Sequence, residues 1–257
     1  MKYDIAVIGC GNMASAIIER ARGKYNFIVS DIDQKKAQQT GVAIALDNAD
    51  AVSKAKFVLL AVKPQVAADA LRGIDFSGKI LISIMAGASV SKLKEIARGA
   101  DGVARVMPNL PARIGYSANA VYFDGLYDDE KEFVFKFLSE FGIAINVNKE
   151  EEMNIITGLS GSGPAFVFKF LRGMAKAAME CGVSEIDARR LACVTLYGSA
   201  SLVMAKENES FDDLIASVCS PGGTTIEGVK HLNETHFEDI VKDAVLWSKK
   251  RAEELSS

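Results

Sequence analysis

The sequence predicts two parts, a doubly wound α/β sheet followed by an all-α helical domain, and three observations predict them. Short Val-, Ile- and Leu-rich runs alternate with helix-length segments through the first half. Gly9, Gly11 and Ala14 punctuate the end of the first run, and strand signals cease after Val147.

Taken in order, Tyr3 to Gly9 is the first strand and leads straight into a helix. Asn26 to Asp31, Val42 to Leu46, Phe57 to Val62, Lys79 to Ile84 and Gly102 to Met107 are further strand-length runs. Most are separated by helical patterns, the rhythm of βα units wound into a parallel sheet. Ser117 to Phe123 and Ala144 to Val147 read as two later strands flanking a helix that starts near Asp128 and ends before Gly142. From Asn148 onward only helices are expected. Ser184 with Asp187, Ser210 with Asp213, Thr224 with Glu227 and Thr235 with Glu238 have the spacing in which a hydroxyl accepts a free backbone N–H and a carboxylate reaches back, so four helices start there. Gly158 to Ala165 (GLSGSGPA) is crowded with small residues, which predicts one backbone close to another. The helices beyond it are apolar on more than one face and call for a partner, most simply a second copy of the chain.

Composition removes several classes of function. Lys+Arg 30 against Asp+Glu 33 gives a net charge of -3 without a basic stripe, which leaves nucleic acid nothing to grip. Cys10, Cys181, Cys193 and Cys219 lie far apart with no Cys-x-x-Cys pair, and the only histidines are His231 and His236, so neither a disulfide framework nor a metal site is expected. The opening MKYDIAVIG has no leader character and no apolar run is long enough for a bilayer, so the expectation is a cytoplasmic protein without membrane partners.

The peptide GCGNMA (Gly9, Cys10, Gly11, Asn12, Met13, Ala14) sits between a strand and a helix, the context a dinucleotide needs. Gly9 permits the tight turn, Gly11 lets a pyrophosphate approach the backbone, and Ala14 allows close helix packing, while the helix N-terminus faces the anion. A tight turn with no ligand has the same outline, but the βα series that follows favours a Rossmann-type cofactor domain. Asp31, about twenty residues on, stands where an acid accepts the ribose hydroxyls of NADH and repels a 2′-phosphate. Lys35, Lys36 and Ala14 argue the other way, so the cofactor is NAD(P)H with the preference open; a solvated turn is the plain alternative for Asp31 and Asp33.

Six peptides in order then resemble one family, the pyrroline-5-carboxylate reductases: GCGNMASAI at Gly9, LLAVKPQ at Leu59, SIMAGAS at Ser83, RVMPNLPA at Arg105, TGLSGSGPAF at Thr157 and SPGGTTIEGV at Ser220. The resemblance implies NAD(P)H-dependent reduction of 1-pyrroline-5-carboxylate to L-proline, with an active site completed at a homodimer interface. The end of strand signals sets the boundary near Asn148, giving a dinucleotide-binding domain over residues 1–148 and a helical dimerisation domain over residues 149–257, to which the resemblance adds the substrate. On the cofactor it sets Ala61, Val62, Lys63 and Pro64 at the nicotinamide side, Asn48 near the adenosine, and Ala86 in the SIMAGAS loop. On the substrate it sets the loop of Ser220, Gly222, Gly223, Thr224 and Thr225, with Glu150 near it. Leu110, Phe166 and Asp31 depart from the family's usual threonine, tyrosine and, in many NADPH-using members, arginine.

The residues themselves suit imine reduction, which needs placement and one proton rather than a nucleophile. Pro221, Gly222 and Gly223 aim bare backbone N–H groups at whatever lies above the turn, a nest for a carboxylate. Thr225 is expected to donate to the ring nitrogen or hold a proton-delivering water, with Glu150 through a water as the next candidate. A hydroxyacid dehydrogenase would present Gly-x-x-Gly-x-Gly-x-x-x-Lys; Gly158, Gly161 and Gly163 match, but Val167 takes the lysine's place and Lys169 lies about 200° around the helix. A nucleotide sensor without catalysis would have no need of the SPGGTT donors.

Overall fold

A computed structural model describes residues 2–256 of the chain. The first six strands follow the expected rhythm: β1 (Tyr3–Ile8), α1 (Asn12–Ala21), β2 (Phe27–Ser30), α2 (Gln34–Gln39), β3 (Ala43–Ile44), α3 (Asn48–Lys54), β4 (Ala55–Leu60), α4 (Pro64–Ala70), β5 (Ile80–Ser83), α5 (Val90–Ile96) and β6 (Gly102–Met107). After them come β7 (Ser117–Asp124), α6 (Asp128–Ser139) and β8 (Gly142–Asn146). The sheet order is β3-β2-β1-β4-β5-β6-β7-β8, parallel except where β6 meets β7. That reversal has a local cause: only a short 3-10 turn, Leu110–Ile114, joins β6 to β7, and Gly115 at φ +82 ends it, so no crossover helix intervenes. β3 is shorter than its run suggests, because Val42 and Leu46 flank two paired residues at the sheet edge.

Central strands bury both faces, as alternation dictates. Ile5, Val7, Val29 and Leu59 pack with Ile17 and Ile18 of α1 and Phe137 and Leu138 of α6, while Ala6, Ile8, Val58 and Leu60 pack with Val52, Leu71 and Leu93 on the other side. Each of these fully buried Val, Leu, Ile and Phe side chains contributes roughly 1.5–3 kcal/mol. Phe57 stacks on Phe133 at 3.8 Å between centroids, which fixes α6 against the sheet. At Gly142 a Cβ would fall on the Ser117 carbonyl oxygen, so only glycine lets β8 begin beside β7.

The helical stretch comprises α7 (Glu152–Ile156), α8 (Gly163–Glu180), α9 (Glu185–Ala205), α10 (Phe211–Val218), α11 (Thr224–Glu234) and α12 (Phe237–Ser256). Between α7 and α8 the chain makes a π-helical turn at Thr157–Gly161, an uncommon feature frequent at functional sites. The small-residue approach expected there is to a side chain rather than a backbone: a Cβ on Gly161 would come within 3.2 Å of Met107 Sδ.

All four expected helix starts occur, but only two use the expected cap. Ser184 and Ser210 accept from Asp187 N and Asp213 N, whereas Thr224 is already inside α11 behind Gly223, and Thr235 ends α11 with its hydroxyl donated to His231 O. A glycine can hold the cap position itself, and a threonine hydroxyl can turn back to the preceding helix; spacing alone distinguishes neither.

By compactness the chain divides into one unit running through Pro164 and resuming at Leu246, and a second, Ala165–Val245. Within the second unit, α8 has no buried residue, and Phe168, Phe170, Leu191, Val194, Tyr197 and Met204 are exposed. Exposed apolar side chains gathered on α8 and α9 have the character of an interaction surface.

Candidate active site

The glycine-rich loop has the geometry a dinucleotide requires. Gly9 sits at φ +94, and a Cβ there would stand 2.7 Å from Val62 Cγ1 and 2.9 Å from the Ala61 carbonyl oxygen. At Gly11 a Cβ would meet nothing within 4 Å, so the space beside that backbone is open for a phosphate. Gly11 caps α1 without any side-chain hydrogen bond, and the first turn, with Asn12, Met13 and Ala14, holds no acid. Free N–H groups and the helix dipole therefore favour an anion here. The residues present fit a dinucleotide. Cys10, between the glycines, is an inert thiol: burial, helped by the Asp31 charge, pushes it up to about 12.

Asp31 lies at the end of β2, but it also works inside the protein. Its Oδ2 accepts the Cys10 N–H at 2.5 Å and its Oδ1 accepts Asp33 N–H at 2.8 Å, so the acid braces the glycine loop from the end of β2. Lys36 is drawn toward Asp33 at 3.6 Å, and both Lys35 and Lys36 are exposed. Asn48 is the first residue of α3, capped by Asp47, and its amide donates to Ala70 O at 2.8 Å. Two residues that the sequence reading missed stand close by in the fold: Ile32, 103% exposed, follows Asp31, and Leu46, 88% exposed, follows the neighbouring strand β3. Apolar side chains held fully in water at the carboxyl ends of adjacent strands have the character of an adenine platform. The signal available was their position after β2 and β3.

Ala61, Val62 and Lys63 form the connection from β4 to α4, which Pro64 opens. Ala61 N–H donates to Ile8 O, which places this connection against the glycine loop. Ala86 is exposed in the connection from β5 to α5. Beside it, Gly87 at φ +71 is covered by the end of α12, where a Cβ would meet Leu255 Cβ at 2.7 Å.

Glu150 makes contacts that its sequence position does not reveal. Its Oε1 accepts from Arg105 Nη1 at 2.6 Å and from Val90 N–H at 2.7 Å. Asn109, also missed, is buried and bonded on every side: its amide donates to Ser160 O at 3.0 Å and accepts from Ala118 N, and its own N–H donates to Ser117 Oγ.

In the helical unit, the SPGGTT segment makes a tight turn closed by Gly223 N–H to Ser220 O at 3.0 Å, with Gly222 at φ +69 as a Pro-Gly turn requires. α11 begins directly after it, and no side chain caps its N-terminus. Glu227, the acid in its first turn, is paired with Lys230 at 2.7 Å. Thr224 is exposed, Thr225 is half-buried, and among the described residues the Thr225 hydroxyl has no partner. The turn brings Ser220, Gly222, Gly223, Thr224 and Thr225 together.

Among the described residues no group of three or more potential metal ligands occurs, and no helix is long and apolar enough to cross a membrane. Residues 150–255 match the family model "Pyrroline-5-carboxylate reductase dimerisation", and residues 4–87 match "NADP oxidoreductase coenzyme F420-dependent". The chain is 36% identical to the pyrroline-5-carboxylate reductase of Aquifex aeolicus, over 98% of this chain and 97% of that one. Among solved structures it is similar to 1-pyrroline-5-carboxylate reductase from Streptococcus pyogenes, with TM-score 0.90, 29% identity and 98% of each chain covered. It is likewise similar to the Plasmodium falciparum pyrroline carboxylate reductase with NADP bound, with TM-score 0.91, 27% identity and both chains covered in full.

Proposed function

Because the chain belongs to the pyrroline-5-carboxylate reductase family, we infer that it reduces the cyclic imine 1-pyrroline-5-carboxylate to L-proline with NAD(P)H, and we assign the parts of that task to residues as follows. Residues 1–148 bind the cofactor and residues 149–257 bind the substrate and pair two subunits. The pyrophosphate rests on Gly9, Gly11, Asn12, Met13 and Ala14 at the start of α1. Asp31 and Asn48 meet the adenosine, with Ile32 and Leu46 flanking the base. Ala61, Val62, Lys63, Pro64 and Ala86 wall the nicotinamide.

When bound, the reduced nicotinamide supplies the hydride to the C=N carbon. The chain does the rest. The turn at Ser220, Gly222, Gly223 and Thr224 holds the substrate carboxylate on the N–H groups of α11, and the Thr225 hydroxyl serves the ring nitrogen as it takes up its proton. The observation that carries this reading is the bare N-terminus of α11 beside an unpartnered hydroxyl. Imine-dependent oxidation of NADH and NADPH, with L-proline as product, tests it; oxidation that does not depend on the imine would sink it.

Cofactor preference turns on Asp31. Asp31→Ser removes the charge opposing a 2′-phosphate, and the ratio of kcat/KM for NADPH over NADH is expected to rise on the order of tenfold, about 1.4 kcal/mol. Both efficiencies should also fall together, because Cys10 N–H loses its acceptor. An unchanged ratio would mean that Asp31 does not face the ribose.

The family model matched by residues 150–255 is a dimerisation model, and the exposed face of α8 and α9 supports a homodimer as the smallest working unit. Sedimentation velocity should show a dimer or larger at micromolar concentration; a stable, active monomer would overturn this. Four free cysteines, two of them exposed, fit a reducing compartment, and we place the enzyme in the cytoplasm.

A further inference from the structure

We propose that Glu150 is a positioning residue for the reductase: by accepting from Val90 N–H and Arg105 together, it fixes the connection Ile84 to Ser89 that carries Ala86. This rests on the assignment of Ala86 to the nicotinamide side.

The geometry is that of a clamp. Arg105, in β6, is 3% exposed, and its Nη2 is buried with no hydrogen-bond partner among the described residues. Its Nη1 is bonded to Glu150, 45 residues away in sequence, at 2.6 Å. Glu150 therefore supplies the counter-charge for a nearly dry guanidinium, an arrangement that is costly to break from either side. To deliver a proton, Glu150 would first have to hold one, and a neutral Glu150 would leave Arg105 charged, buried and without its anion. The same Oε1 accepts Val90 N–H at 2.7 Å across 60 residues. Val90 is the first residue of α5, where an N–H has no partner within the helix. Glu150 is held in turn by the start of α7, since its carbonyl accepts Met153 N–H and Met153 is fully buried. The connection is thus tied at its far end by Glu150, while Met85 N–H donates to Ser83 Oγ near its start.

The first helical position offers a direct test, because proline is tolerated there, lacks the N–H and keeps apolar carbon in the buried place of the Val90 side chain. Ser89 already has the extended conformation that a residue before proline adopts, at φ -71 and ψ 156. Val90→Pro thus removes the donor and leaves the Glu150 carboxylate and its pair with Arg105 in place. In the cofactor-free protein, amide exchange over residues 84–89 should quicken. NADH binding, titrated by fluorescence, should weaken about tenfold, with a similar rise in KM and an unchanged shape of the kcat pH profile, since misplacement rather than proton transfer is at fault.

Glu150→Gln keeps an acceptor at the same reach but cannot carry the proton. It should weaken NADH binding and likewise leave the shape of the pH profile intact. Val90→Pro with parental exchange and binding would overturn the proposal. So would a Glu150→Gln enzyme that binds NADH normally and loses a limb of the pH profile, because Glu150 would then handle the proton. Ala86→Val separates the premise: if it and Val90→Pro both leave NADH binding intact while exchange quickens, Glu150 fixes the connection but Ala86 does not meet the cofactor, and the proposal falls with that assignment.

Discussion

Thr225→Val is expected to lower kcat by roughly ten- to a thousandfold, the scale of one proton-handling group, while binding of L-proline or a carboxylate analogue weakens far less. Valine keeps the shape of threonine and leaves every backbone N–H of α11 where it was, so the anion seat survives the loss of the hydroxyl. Gly223→Val should do the reverse. A Cβ there would run into Ser220 Oγ and lie 3.1 Å from the Ser220 carbonyl, which also closes the turn. Substrate and analogue binding should then fail before the chemical step does. Steady-state kinetics and analogue inhibition of both variants, with circular dichroism to verify folding, decide the matter. Normal turnover by Thr225→Val would place proton delivery elsewhere.

Gly9→Ala should be nearly as severe on the cofactor side. The added methyl would meet Val62 Cγ1 at 2.7 Å and the Ala61 carbonyl at 2.9 Å, and φ +94 is a conformation that alanine enters only under strain. Strain and crowding together cost about 2–4 kcal/mol, and NADH affinity should drop on the order of a hundredfold as the loop distorts. Gly11→Ala is the informative companion, because a Cβ there faces open space. It should melt like the parent and still lose cofactor affinity, through contact with the pyrophosphate alone. Thermal melts beside NADH titrations measure both; a Gly11→Ala protein with full affinity would show that the pyrophosphate does not lie against that backbone.

The sheet was legible because each strand carries its own pattern. Gly102–Met107 is bounded as expected to the residue, and the other strands shift by one or two residues at one or both ends. The short β3 is an edge effect that composition does not encode. The glycine loop and the SPGGTT turn were legible because turn chemistry is local. What could not be read depends on distant partners: the bond from Asp31 to the Cys10 N–H, the hold of Glu150 on Arg105 and Val90, and the burial of Asn109 among Ser117, Ala118 and Ser160. Ile32 and Leu46 eluded the reading for the opposite reason. An apolar residue is expected to be buried, and only the fold reveals that these two are not.

The contact of Leu255 with Gly87 sets an order of events during synthesis. The strands β1 to β6 can pair as they leave the ribosome, since each contacts a neighbour made shortly before or after it. The connection that carries Ala86, tied by Glu150 well before, gains its cover last. Its covering turn is made only after nearly all the rest of the described chain, so a nascent protein can own a finished sheet and a formed glycine loop long before Gly87 is covered. Under the assignment proposed above, cofactor captured during translation is held first by its pyrophosphate, and its nicotinamide end is secured once residues 252–255 have emerged.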